Sequence, residues 1–104
     1  MLYNKLIRDK IPEIIEQSGK RARIEILDDY EFGVFLERKL DEEVQEYHES
    51  GNTEELADIL EVLIALAKSK GLSFEDLIAL QKDKAEKKGA FTKKILLITV
   101  NEDE

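Results

Sequence analysis

Apolar residues recur at helical spacing along most of this chain and alternate with polar ones in a shorter stretch. Residues 9–18 read as a short helix, with Pro12 tolerated in its first turn and Gly19 as a stop. RARIEIL, residues 21–27, alternates as a half-buried strand does. Phe32, Leu36, Leu40, Val44 and Tyr47 then share one face of a long helix. Asp28 or Asp29 caps that helix, which runs to about Ser50 and ends at Gly51. Asn52 or Thr53 starts a second long helix to Lys70, and its residues 56–67, LADILEVLIALA, are apolar on almost every side. Ser73 caps a third helix to Lys88, with Gly89 after it. KILLITV, residues 94–100, is β-branched enough to be a closing strand that could pair with the first. The expectation is a single domain over residues 1–104. It is mainly α, an antiparallel helix bundle with a small two-stranded β element.

Two polar residues break this pattern. On the helical projection Glu43 falls about 20° from Leu36, in the middle of the apolar stripe, and Glu46 falls on its shoulder. On the next helix Glu55 projects between Val62 and Leu66, and Asp58 lies at the edge of that face, while Glu54 and Glu61 point to the wet side. An ionised carboxylate on an apolar face costs several kcal/mol (on the order of 3) unless something compensates it.

Charge narrows the choice of compensator. The chain has 16 basic and 24 acidic residues, net −8. Residues 41–61 alone carry nine acidic side chains and no lysine or arginine, while the segments on either side are close to neutral. Such a window repels phosphate backbones, so polymeric nucleic acid is an unsuitable partner. Lys39 and Lys84 are the basic residues within reach; the other candidate is a divalent cation. Glu43/Glu46 and Glu55/Asp58 are i,i+3 pairs, and the short link at Gly51 and Asn52 sets their helices side by side. Four carboxylates make an all-oxygen site suited to Mg²⁺ or Mn²⁺. The chain has no cysteine, which removes disulfides, thiolate metal sites and a cysteine nucleophile. His48, the single histidine, reads as a surface residue. No G-x-x-x-x-G-K-[ST] occurs, so this is not a P-loop enzyme.

The opening MLYNKLIRDK lacks the apolar run of a secretory signal, and no run approaches 18 apolar residues. A cytoplasmic protein without membrane contact is expected. The apolar breadth of residues 56–67 exceeds what one helix hairpin covers, which predicts a homodimer or higher oligomer.

Glu42-Glu43-Val44-Gln45-Glu46 followed by Glu55-Leu56-Ala57-Asp58 resembles the E-E-x-x-E … E-x-x-D motif of the MazG-like, all-α nucleoside triphosphate pyrophosphohydrolases. The spacer, residues 47–54, is short for that superfamily. KLIRDKIPEII near the start and KAEKKGAF near the end look like its phosphoribosyl-ATP pyrophosphohydrolase-like branch. The resemblance implies Mg²⁺-dependent cleavage between the α and β phosphates, giving a nucleoside monophosphate and pyrophosphate. It implies Glu43, Glu46, Glu55 and Asp58 as metal ligands, and Glu42 as an outer residue or the base for the attacking water. Arg8, Lys10, Lys84, Lys87 and Lys88 are the candidates for binding the remaining phosphates. A non-enzymatic helical dimerisation or metal-binding module on the same scaffold is the other reading.

Overall fold

The computed structural model describes residues 3–102. The described residues form four helices: α1 (Ile11–Gln17), α2 (Asp29–Ser50), α3 (Glu54–Ser69) and α4 (Phe74–Lys88). The protein is thus mainly helical, as the periodicity predicts. Asp28 caps α2, its side chain accepting from the Glu31 amide at 2.8 Å. Gly51 ends α2 in the left-handed region, at φ 67°, where a side chain is strained. Thr53 precedes α3 without a side-chain cap, so the start of that helix is held by other contacts. Ser73 opens α4 with a capping box: its hydroxyl accepts from the Asp76 amide, and the Asp76 carboxylate accepts from the Ser73 amide, both at 3.1 Å.

The core is the seam between α2 and α3. Leu36 faces Val62 and Leu66, and Leu40, Ala65 and Leu6 pack around them. Leu6 brings the N-terminal segment onto the two helices, which carries Lys5 and Arg8 to the same region. Helix α4 touches α3 only lightly and buries no residue of its own.

Two expectations differ. Residues 21–27 and 94–100 are irregular, with Lys94 in the left-handed region at φ 58°, and no strand forms among the described residues. A strand is defined by its ladder, and no backbone hydrogen bond joins these two segments. The alternation is in the sequence, but among the described residues neither segment meets a strand partner. The helix expected over 9–18 is also shorter, because Lys10 serves as its N-cap. Among the described residues no helix is long and apolar enough to cross a membrane.

The molecule measures 70 × 32 × 21 Å, with a radius of gyration of 18.8 Å. A compact chain of this length has about 13 Å. Large apolar side chains stay open along it, among them Leu56, Leu60 and Leu63 on α3 and Phe74 and Leu80 on α4.

Candidate metal centre

Helix α2 delivers Glu43 into the seam beside Leu36, and Glu43 is buried like the core residues around it. Helix α3 returns antiparallel and brings Glu55 and Asp58, both half-buried, from its first turns. One carboxylate oxygen from each of the three lies within 4.8 Å of the others. The i,i+3 spacing on α3 is what sets Glu55 and Asp58 on one side.

Glu43 Oε1 lies 3.3 Å from Lys39 Nζ, one turn earlier on α2. Its other oxygen, Oε2, is buried with no hydrogen-bond partner. Burial pushes the Glu43 carboxyl up; the hydrogen bond and charge of Lys39 oppose this, and Glu46 adds to it. The Glu55 carboxyl is also raised, by desolvation first and then by the charge and hydrogen bonding of Asp58. Burial adds most at Glu43, and both shifts share one cause, the gathering of anions.

The cations around them are fixed at the rim. Arg8 Nη2 donates to Asp58 Oδ1 at 2.7 Å, and Arg8 Nη1 stands 3.6 Å from Glu61. Lys39 reaches Glu42 at 3.3 Å as well as Glu43, and Lys5 approaches Glu42 at 4.0 Å. So Lys39, one of the two lysines weighed from the sequence, does contact Glu43. Lys5 is the residue that sequence reasoning missed. Its signal was its place three residues before Arg8 in the same N-terminal motif.

The remaining candidates are dispersed. Glu46 is exposed and outside the three-carboxylate cluster, although its charge is felt at Glu43. Lys10 is exposed at the start of α1. Lys84, Lys87 and Lys88 are exposed on α4, where Lys87 pairs with Asp83 at 3.0 Å. His48 is exposed and tilts against the ring of Tyr47.

Three carboxylates with one orphaned buried oxygen are a donor set for a hard divalent cation. The lack of any nitrogen or sulfur donor in the cluster disfavours zinc and copper.

No family model matches the chain. No solved structure matches it. A stretch of 41 residues is 51% identical to an uncharacterized protein of Mycolicibacterium smegmatis, covering 39% of this chain and 42% of that protein. The similarity therefore spans less than half of either protein.

Proposed function

We propose that the protein is a Mg²⁺-dependent nucleoside triphosphate pyrophosphohydrolase of the MazG-like kind, cleaving between the α and β phosphates. The observation that carries the reading is the partnerless buried oxygen of Glu43 beside Glu55 and Asp58. A protein gains nothing in stability from such an oxygen, so its retention points to a ligand.

Glu43, Glu55 and Asp58 would hold Mg²⁺, with Glu46 as a fourth ligand after a change of rotamer. A bound Mg²⁺ supplies charge neutralisation for the polyphosphate and acidifies water. Glu42 stands beside Glu43 in sequence and is held by Lys39 and Lys5. It is the group to take the proton of the attacking water. Arg8, at the rim, turns from Asp58 to a phosphate oxygen when substrate enters, a planar donor exchanged from one oxyanion to another. Lys10, Lys84, Lys87 and Lys88 contribute only through an approach of α1 or α4 to the site. The working unit is a homodimer, with α3 at or beneath the interface.

Chromatography of products from a panel of triphosphates, with and without Mg²⁺, tests this. Monophosphate plus pyrophosphate, formed only with metal, is the expected result. Diphosphate plus orthophosphate, or no turnover across the panel, overturns it.

The Lys39–Glu43 and Arg8–Asp58 pairs favour one other reading, a charge-paired helical interaction module without turnover. That reading predicts no effect of Mg²⁺ on the melting temperature.

A further inference from the structure

We propose that Lys39 sets the cation preference of the three-carboxylate centre: by holding one oxygen of Glu43 it leaves that side chain a single ligating oxygen, which suits Mg²⁺ and Mn²⁺ and disfavours Ca²⁺. The inference rests on the metal reading above and deepens it. Lys39 is a positioning residue, because it acts through Glu43.

The two oxygens of Glu43 are unlike. Oε1 lies 3.3 Å from Lys39 Nζ, whereas Oε2 is buried with no hydrogen-bond partner. Glu43 is only 7% exposed, so its second oxygen is closed to bulk water. One carboxylate oxygen each from Glu43, Glu55 and Asp58 lie within 4.8 Å of one another. An orphaned oxygen at such a cluster is the one with capacity left for a cation.

Three features keep Lys39 in place. It stands one turn before Glu43 on α2, at i,i+4 spacing, so the pair moves as one piece of helix. Its ammonium also donates to Glu42 Oε1 at 3.3 Å. Its side chain is 18% exposed, against 71% for Lys87 in the surface pair with Asp83. An ammonium sheltered between two carboxylates gives up both contacts if it swings away. Arg8 likewise occupies an oxygen, Asp58 Oδ1 at 2.7 Å, but that pair is open to solvent and free to exchange. Lys39 is therefore the fixed restraint.

Cation chemistry supplies the consequence. Mg²⁺ demands a near-octahedral shell of about six oxygens and keeps several of its waters. Ca²⁺ takes about six to eight, and collects them in part by gripping carboxylates through both oxygens. Glu43 cannot chelate in that way while Lys39 holds Oε1. The two ions carry the same charge, so repulsion by Lys39 weakens both to a similar degree. The ratio of their affinities therefore reports how many oxygens Glu43 offers.

Mn²⁺ binding to the full-length protein is read from the electron paramagnetic resonance signal of the free ion, with Mg²⁺ and Ca²⁺ titrated as competitors. Mg²⁺ should displace Mn²⁺ from wild type at several-fold lower concentration than Ca²⁺ does. Equal competition by Ca²⁺ overturns the proposal without any variant. Lys39→Met removes the ammonium and keeps the length of the stem; it should raise Ca²⁺ affinity several-fold relative to Mg²⁺. Lys39→Arg, which still donates to Oε1, should keep the wild-type order. Lys5→Met removes a charge 4.0 Å from Glu42 and should leave the ratio unchanged. If both affinities of Lys39→Met rise by the same factor, Lys39 acts as a charge alone and the proposal is overturned, with the metal reading intact. Absence of Mn²⁺ binding in wild type and Lys39→Met alike overturns the metal reading and this inference with it.

Discussion

Glu43 answers to two opposed requirements. Its place in the α2–α3 seam excludes water, and its carboxylate needs a cation. Lys39 meets half of that need at Oε1 and leaves Oε2 without a partner. Glu43→Gln keeps the shape and removes the charge, so the penalty that raises the Glu43 pKa disappears. In chelator the variant should melt higher than wild type, because the neutral amide carries no desolvation penalty of an ionised carboxylate. It should also lose hydrolysis. A lower melting temperature with activity retained would make Glu43 the structural partner of Lys39 and end the metal assignment at its central residue. Arg8 separates differently. Its pairs with Asp58 and Glu61 are exposed, so Arg8→Ala should change stability by less than about 1 kcal/mol. If Arg8 transfers to a phosphate oxygen, the same variant should raise the KM for triphosphate about tenfold, the loss of one charge-assisted hydrogen bond. An unchanged KM in steady-state assays removes Arg8 from the site.

The helices carry their own punctuation, and this is why they were legible. Asp28, Gly51, Ser73 and Gly89 mark their ends in the sequence, and the structure uses each of them as a cap. Ser73→Ala should therefore destabilise the fold by about 1 kcal/mol in urea denaturation, because the hydroxyl is half of a capping box. No loss would mean that α4 is held by contacts outside its first turn. The strands were legible only as patterns. RARIEIL and KILLITV have the alternation and β-branching of strands, but local pattern does not name a partner, and no ladder forms among the described residues. The site was legible for the same reason as the helices. Glu43 and Glu55 interrupt apolar stripes, and a helical projection finds such interruptions. The rim was not: Arg8 reaches Asp58 across fifty residues, and Lys5 and Arg8 arrive there because Leu6 is drawn into the core. A single sequence records no such long-range pairing.

Across the whole molecule, the raised carboxyls of the acidic window make stability a function of pH. The Glu43 and Glu55 carboxyls are both raised in the folded protein. The groups facing them are Lys39, Arg8 through Asp58, and the anions Glu46, Asp58 and Glu54, and Glu43 also acts on Glu55. A carboxyl with a raised folded pKa binds its proton more tightly in the native state than in the unfolded chain. Its penalty is then felt where the carboxyl is ionised in the fold, and it is relieved as pH falls through the folded value towards about 4.3, the ordinary glutamate pKa. In chelator the melting temperature should thus rise as pH drops from 7 towards 5, against the trend of proteins held by salt-bridged carboxylates. Divalent metal at pH 7 should relieve the same repulsion by mass action, giving a gain of about 2.7 kcal/mol at a hundredfold excess over Kd. The two effects must compete, because protons and metal occupy the same oxygens. The metal-induced rise in melting temperature should shrink as pH falls from 7 to 5. Melting curves over a grid of pH and Mg²⁺ test this directly. A metal-induced shift that stays constant across that range would mean that the cation binds somewhere other than Glu43, Glu55 and Asp58.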